Sequence, residues 1–468
     1  MSKEKSLLKN TAIVTVGRVC TQLLSFLLLP LYTVYLSTEE YGVVDLLNTL
    51  ISLLIPVLTF QVDQGVFRFL IDKREEKKEQ NKLITTVSLF LFVQIIIYSI
   101  IFIIVNRFIH NDYKYFLLAN LIVSSVANYT LQITRGFGDN KKYAIASFLS
   151  GAITIILNVA LIASLKMGAT GMLWATFAGQ LICTIYVVVS TKLYKYIKIK
   201  AFSNEKLKEI LKYSIPLIPN AISWWVVNAS DRLIIYKFLD IGQNGIYSVA
   251  NKFSNIITTI YGIFNITWTE SASINIGQDD KNEFFSKIFR VTIEFFSALS
   301  LGLIAYMPIA FKILVNGNYI EAYNQIPILI LGTFFSILVT FIGSIYVANK
   351  VTKEIAKTSI ITAIINVVVN IVFINKIGLY AASLSTLIAW FTMFLYRYYD
   401  SKKYVNMKVN KMIILKIMVV TIVTFVIYYI KINWISIINA IFITFFSLYL
   451  NKNNISFIKE TIKQRRRG

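Results

Sequence analysis

Polar side chains recur at helical spacing inside the apolar segments of this 468-residue chain. Within residues 10–36, Arg18, Gln22 and Ser25 fall on one helical face, because they are separated by four and three residues. A guanidinium in an apolar segment needs an acidic partner or an anionic ligand, and it holds a phosphate through two parallel N–H bonds. The spacing therefore makes this face a candidate binding site, with either an acidic partner on another helix or an anionic ligand opposite Arg18.

Three further segments carry polar faces of the same kind, at residues 41–70, 211–238 and 243–270. Their amide, carboxylate and indole side chains either hydrogen-bond neighbouring helices or bind a ligand rich in hydroxyl groups. Together the four faces predict a shared cavity in the membrane. The candidate site residues are Arg18, Gln22, Ser25, Asp45, Asn48, Asp63, Arg68, Asn220, Trp224, Asn228, Asp231, Asn251, Lys252 and Asn255.

Some charged residues in the apolar segments of the chain also fit a structural role. Arg68 lies near the end of its segment, where a long side chain can extend its charge to the headgroups. Asp231 and Arg232 are adjacent near the end of theirs, which fits a structural salt bridge equally well. Arg290 and Glu294 are four residues apart and fit an ordinary helix-face pair.

The candidate site residues lie in four of the fourteen long apolar runs of the sequence, and these runs must hold them in position. A transmembrane helix needs about 20 apolar residues, and a charge at the bilayer centre costs about 2.5 to 3.5 kcal/mol. The sequence therefore predicts an all-α integral membrane protein with about fourteen spans. These lie near residues 10–36, 41–70, 83–105, 114–134, 143–165, 168–191, 211–238, 243–270, 284–315, 321–348, 354–375, 378–397, 410–430 and 432–450.

Charge orients the chain. The formal net charge is +23, and most of the 47 Lys and Arg fall in every second segment between the runs. The positive-inside rule then predicts a multi-pass protein of the cell membrane with both termini in the cytoplasm, and it accounts for the charge without nucleic acid. Cys20 and Cys183 lie inside runs and His110 is the only histidine, so no disulfide, metal site or cofactor is expected.

Two halves of the sequence resemble each other, with chance similarity between apolar helices as the alternative. A shift of 203 residues places Gly42 on Gly245 and Asn48 on Asn251. Six spans separate the paired segments, so the repeat is expected to be parallel, with two six-helix lobes plus two C-terminal helices. The predicted domains are an N-lobe at 1–191 with helices 1–6, a cytoplasmic lobe linker at 192–212, a C-lobe at 213–400 with helices 7–12, and helices 13–14 with a basic cytoplasmic tail at 401–468.

Several segments resemble the polysaccharide flippases. They are Lys9-Asn-Thr-Ala12, Asp63-Gln-Gly-Val-Phe-Arg68, Tyr213-Ser-Ile-Pro-Leu-Ile-Pro219, Asp231-Arg-Leu-Ile-Ile235 and Gly245-Ile-Tyr-Ser-Val-Ala-Asn-Lys252. Nearly the whole chain is similar to the multidrug, oligosaccharidyl-lipid and polysaccharide exporter (MOP) superfamily. The resemblance implies a MATE-like flippase that moves polyprenyl-diphosphate-linked oligosaccharide from the cytoplasmic to the outer leaflet for cell-surface polysaccharide synthesis. Its implied partners are this lipid, membrane lipid and glycan-assembly proteins.

Two other function classes fit parts of the sequence. An ion-coupled drug or cation antiporter of the same superfamily would share the lobes, but it would favour unpaired acids in its cavity over Arg18. A membrane glycan polymerase or ligase would place catalytic residues in a large external loop, whereas every predicted external connection is short. The sequence also lacks the Gly-Lys-Ser/Thr loop of ATP-binding proteins. We therefore predict a transporter rather than an enzyme, driven by ions or by the membrane potential.

Overall fold

The structure is a computed structural model, and it describes residues 26–108, 112–349, 351–452 and 454. These residues form sixteen α-helices and no β-strand. The predicted site residues Arg18, Gln22 and Ser25 lie outside the described residues, as do Cys20, His110, the segment Lys9-Asn-Thr-Ala12 and residues 455–468 of the predicted basic tail.

The helices follow one another with short connections. They are α1 (Leu29–Tyr35), α2 (Thr38–Leu58), α3 (Val62–Asp72), α4 (Lys77–Val105), α5 (Lys114–Gly136), α6 (Asn140–Asn158), α7 (Gly168–Ser190), α8 (Asn204–Ser214), α9 (Ile218–Phe238), α10 (Ile241–Asn275), α11 (Lys281–Leu314), α12 (Ala322–Ala348), α13 (Thr352–Ile377), α14 (Leu379–Ser401), α15 (Lys411–Ile430) and α16 (Asn433–Leu450). A π-helical turn at Val159–Ser164 extends α6.

The predicted all-α membrane fold is confirmed. Eleven helices among the described residues are long and apolar enough to cross a membrane, namely α2, α4 to α7 and α11 to α16. Helices α9 and α10 coincide with the predicted spans at 211–238 and 243–270, although they are not among the eleven. The predicted spans from the third to the sixth and from the eighth to the fourteenth each correspond to one helix, whereas the seventh, at 211–238, takes in the end of α8, a 3₁₀ turn at Ile215–Leu217 and α9.

The second predicted span is two helices instead of one. Pro56 lies inside α2, which ends at Leu58, and α3 begins only at Val62. Between them Phe60 and Gln61 take φ angles of 51° and 53°, in the left-handed region that residues other than glycine seldom occupy. The prediction of one span at 41–70 was therefore wrong, because the backbone breaks two residues after the proline instead of only bending there.

The chain divides into two compact units, residues 1–233 and 234–468, and the division falls inside α9. The lobe boundary in the linker at 192–212 stays a prediction. In the first unit, α3 buries Val66 and Leu70 against α4, α5 and α8. Helix α8 comes so close that a Cβ on Gly65 would lie 2.6 Å from Cγ2 of Ile210, so only glycine permits this contact.

The second unit is built around α12, which packs between α10 and α14. Its most unusual core residue is Arg397 of α14, which is 2% exposed. The Arg397 guanidinium donates from Nε and Nη2 to Oγ1 of Thr358, at 3.0 and 2.7 Å, and from Nη1 to the carbonyl oxygen of Val339 at 3.2 Å. Nη2 also reaches the carbonyl oxygen of Ile355 at 3.3 Å. One buried cation thus joins α14 to α13 and α12.

Two helices of the second unit are longer than a bilayer requires. Helix α10 has 35 residues and α11 has 34. At 1.5 Å per residue they are about 52 and 51 Å long, against a hydrocarbon core of about 30 Å. They are joined by a turn at residues 276–280, which the predicted topology places on the cytoplasmic side.

Gly168 is expected to be required at the start of α7. It has a φ of 56°, and a Cβ there would collide with Oε1 of Glu40, which accepts a hydrogen bond from the backbone N–H of Ala169 at 3.3 Å. Gly168→Ala should therefore cost about 1 to 2 kcal/mol for the left-handed backbone alone, together with the loss of this contact. The measurement is the melting temperature of the purified protein in detergent.

The matched control for this prediction is Gly277→Ala. A Cβ at Gly277 would meet nothing within 4 Å, so this variant should melt within a degree or two of the wild type. Equal melting temperatures for the two variants would show that the contact between Glu40 and α7 does not constrain position 168.

Candidate functional site

The candidate site in the first unit starts with an ion pair between two helices distant in sequence. Nε of Arg232 on α9 donates to Oδ2 of Asp45 on α2 at 2.9 Å. The two side chains are only 13% and 21% exposed. The Arg232 Nη1 also donates to the carbonyl oxygen of Asn228, at 3.1 Å, which fixes the guanidinium against its own helix. The pair satisfies two charges that would be costly if left alone at membrane depth.

A second contact joins the same helices two turns away. Nε1 of Trp225 donates to the carbonyl oxygen of Thr49 and to Oγ of Ser52, each at 3.0 Å. The three α2 residues are spaced by four and three, which keeps them on one helical face. We refer to these contacts as the α2–α9 seam, which consists of Asp45, Thr49 and Ser52 on α2 and Trp225, Asn228 and Arg232 on α9.

Local sequence explains how α9 presents its face. A 3₁₀ turn at Ile215–Leu217 precedes α9, and Pro219 is the second residue of the helix. Proline is tolerated in a first helical turn, since its missing N–H would have no partner there. The two helices α8 and α9 are thus separated by this 3₁₀ turn inside the predicted span at 211–238. From this fixed start, Trp225 and Arg232 follow at positions seven residues apart, on the same side of the helix.

Besides Asp45, the described predicted site residues of the first unit lie in the seam, as Asn228 does, around it or beyond it. Asn48, Asn220, Trp224 and Asn228 are exposed on α2 and α9. Asp63, at the start of α3, accepts a hydrogen bond from Nε2 of Gln64 at 2.8 Å. The remaining two are Arg68, which is exposed and pairs with Asp72 at 2.7 Å, and Asp231, which is buried.

In the second unit, Asn251, Lys252 and Asn255 occupy neighbouring positions on α10. The Nδ2 of Asn251 donates to the carbonyl oxygen of Tyr247 at 2.9 Å, and Asn255 is exposed. The ligand-binding role of all fourteen candidates stays a prediction. Within the described part of the chain, no group of three or more His, Cys, Asp or Glu side chains could hold a metal ion.

The predicted site residues include only Asp45 and Asn228 of the seam, so four of its six members were missed, namely Thr49, Ser52, Trp225 and Arg232. Sequence reasoning placed Trp224 rather than Trp225 in the site, and it considered Asp231 as the ionic partner of Arg232, whereas the structure pairs Arg232 with Asp45. The spacing of Trp225, Asn228 and Arg232, by three and then four residues, was the available signal. Nothing in the sequence indicates which distant helix such a face will meet.

Residues 7–268, more than half of the chain, match the family described as polysaccharide biosynthesis protein. The chain belongs to this family. The match covers both helices of the seam and most of α10. No curated protein sequence matches this member of the polysaccharide biosynthesis family.

Solved transporter structures share the fold of this polysaccharide biosynthesis family member. The lipid II flippase MurJ in an inward closed conformation matches with a TM-score of 0.70 and 18% identity, over 95% of this chain and 100% of that chain. An inward-facing multidrug resistance MATE family transporter of the MOP superfamily matches with a TM-score of 0.69 and 13% identity, over 84% and 98%. At such identities the likeness shows the fold alone.

Proposed function

We propose that this protein is a flippase that moves polyprenyl-diphosphate-linked oligosaccharide from the cytoplasmic to the outer leaflet, for cell-surface polysaccharide synthesis. The family match over residues 7–268 is the observation that carries the proposal. It is supported by the fold, which the lipid II flippase MurJ also adopts. The proposal locates the protein in the cell membrane with both termini in the cytoplasm, as the loop charges predict.

The residue types of the candidate site suit such a substrate. Exposed amides at Asn48, Asn220 and Asn228 can hydrogen-bond sugar hydroxyls, and the indole of Trp224 can pack on a sugar face. Arg18 supplies the cation for the diphosphate in this proposal, because a guanidinium binds phosphate oxygens in pairs. Arg18 and its neighbours on the first span lie outside the described residues, so this part rests on the sequence.

The α2–α9 seam has a mechanical role in the proposal. By the predicted topology, Asp45 and Arg232 lie towards the outer face, where their contact holds α2 and α9 together. Transport by alternating access requires an outer closure that forms and breaks once per cycle. The partial exposure of both side chains, 13% and 21%, lets water reach the charges as they separate, so that breaking the pair does not leave a dry buried charge.

The experiment uses the purified full chain in liposomes that carry a polyprenyl-diphosphate oligosaccharide in both leaflets. A membrane-impermeant enzyme or lectin reports how much sugar is reachable from outside over time. We expect the protein to make the inner pool reachable, whereas protein-free liposomes keep it hidden. If the protein leaves the inner pool as hidden as it is in protein-free liposomes, and instead takes up an organic cation in exchange for another cation, the antiporter would be favoured.

The membrane potential is expected to accelerate this flipping. A diphosphate with about two negative charges that moves out of an inside-negative compartment at 100 mV gains about 4 to 5 kcal/mol, at about 2.3 kcal/mol per charge. An imposed inside-negative potential should therefore raise the outward rate, and the opposite potential should lower it, without any ion gradient. A rate that ignores the potential and follows only a proton or sodium gradient would contradict this driving force.

A further inference from the structure

A cavity opens on the side of the second unit, between α11 and α16. Its volume is about 420 Å³, in the range of about 300 to 1,000 Å³ typical of ligand pockets. Its walls are largely apolar, with Phe295, Leu299 and Gly302 on α11 and Leu448 on α16. Both helices are long and apolar enough to cross a membrane. Because a transmembrane surface is surrounded by lipid, whatever fills this cavity in the bilayer has to be compatible with acyl chains.

The two ends of the cavity are marked by contacts between its helices. At one end Nδ2 of Asn451 donates to the carbonyl oxygen of Glu294 at 3.3 Å. At the other end the hydroxyls of Tyr306 and Thr444 are 2.8 Å apart. From Phe295 to Tyr306 the helix rises by about 16 Å, which is about half of the 30 Å hydrocarbon core. Along the axis of α11, the cavity therefore extends over about the thickness of one leaflet.

Gly302 contributes to the open space of the cavity because it has no side chain. It lies in the interior of α11, where glycine is less favourable than alanine. A Cβ at this position would meet nothing within 4 Å, so close packing against another helix does not explain the glycine. The absence of a side chain widens the cavity at its centre.

The end of the cavity at Asn451 carries charge. Glu294 is 3% exposed, forms an ion pair with Nε of Arg290 at 3.2 Å and accepts a hydrogen bond from Nδ2 of Asn454 at 3.3 Å. The side chain of Arg290 remains 44% exposed, so the edge of its guanidinium that faces away from Glu294 can reach a phosphate. Lys452, beside Asn451, is also exposed. By the predicted topology this end faces the cytoplasmic headgroups.

We propose that this cavity binds one glycerophospholipid of the cytoplasmic leaflet, with an acyl chain beside Gly302 and the phosphate at Arg290. The depth of one leaflet matches a fatty acyl chain, whereas a long polyprenyl tail would extend far past the contact between Tyr306 and Thr444. The site is separate from the α2–α9 seam and does not depend on the proposed transport function. The lipid would fill the space between α16 and α11.

The test measures lipid retained by the purified full chain. Protein in detergent is incubated with a deuterated diacyl phosphatidylglycerol, with the matching diacylglycerol, or with a polyprenyl phosphate, and bound lipid is counted by native mass spectrometry. We expect one phosphatidylglycerol per wild-type chain. Gly302→Leu and, from the opposite wall, Ser447→Leu should each reduce retention by about tenfold. Arg290→Ala should remove the preference for phosphatidylglycerol over diacylglycerol.

The matched control is Ala356→Leu, which adds similar bulk at an exposed position of α13 and should retain the lipid as the wild type does. Variants are compared only where they elute as single species, and two cavity-filling variants on different helices guard against one that fails to fold. Equal retention by the wild type and either folded cavity-filling variant would overturn the proposal. Preferential retention of polyprenyl phosphate would overturn it as well.

Discussion

Alanine at Asp45 or at Arg232 is expected to reduce flipping by roughly tenfold or more, because a hydrogen bond between charged groups contributes about 1.5 to 3 kcal/mol. Each substitution removes the 2.9 Å ion pair of the α2–α9 seam and leaves the other charge without this partner. A shift of about 1.4 kcal/mol changes the ratio of two states tenfold, so the outer closed state should lose population relative to the open state by about this factor or more. The measurement is the liposome flipping rate, normalised to inserted protein.

A charge swap separates the ion pair from other roles of the two residues. The double variant Asp45→Arg with Arg232→Asp restores opposite charges and should recover part of the activity that each single variant loses. Lys73→Ala breaks an exposed pair with Glu76 at 2.9 Å and serves as the control, with flipping close to that of the wild type. Wild-type flipping in Arg232→Ala would show that this closure is not needed.

Arg397→Ala is expected to cause the largest loss of stability in the second unit, about 3 to 5 kcal/mol. The substitution removes four hydrogen bonds to Thr358, Val339 and Ile355 and leaves a cavity where α12, α13 and α14 meet. By soluble-protein scaling the melting temperature should fall by roughly 10 °C. Arg397→Lys should be intermediate, since an ammonium cannot reproduce the planar fork of donors.

The control for Arg397 is Lys403, a cation that faces water six residues further along the chain, just after the end of α14. Lys403 is 71% exposed and pairs with Asp400, so Lys403→Ala should change stability by less than about 0.5 kcal/mol. Arg397→Met keeps the length of the side chain without its charge and should be less harmful than alanine. A melting temperature for Arg397→Ala equal to that for Lys403→Ala would refute a structural role for the buried guanidinium.

The sequence predicted the helices well, because the need for about 20 apolar residues per span is a local property. It failed at the second span, where Pro56 could be seen but not the left-handed backbone of Phe60 and Gln61 that follows it. It also ended the predicted span at 378–397 on Arg397, whereas the structure continues α14 to Ser401 and buries Arg397 inside it. Charge near a helix end predicts topology, but whether a long side chain turns outward depends on neighbours that the sequence does not identify.

Prediction of the site was limited in a different way. Helical phase correctly placed Asp45 on a polar face, since phase needs only residue spacing. The partner of Asp45 is 187 residues away along the chain, and no single-sequence pattern selects Arg232 over other cations. Glu294 shows the same limit: its pair with Arg290 was expected, but its contact with Asn454 depends on how α16 docks on α11.

Helices α10 and α11 have an experimental consequence through their length. Even at a tilt of 40°, a helix of about 52 Å covers about 40 Å along the membrane normal, well beyond a hydrocarbon core of about 30 Å. Each helix therefore extends about 10 Å beyond the hydrocarbon core, and the predicted topology places the turn at residues 276–280, which joins them, on the cytoplasmic side. Antibodies and proteases that never cross a bilayer can address this turn from one compartment alone, so it offers a natural marker for the sidedness of vesicles and reconstituted preparations.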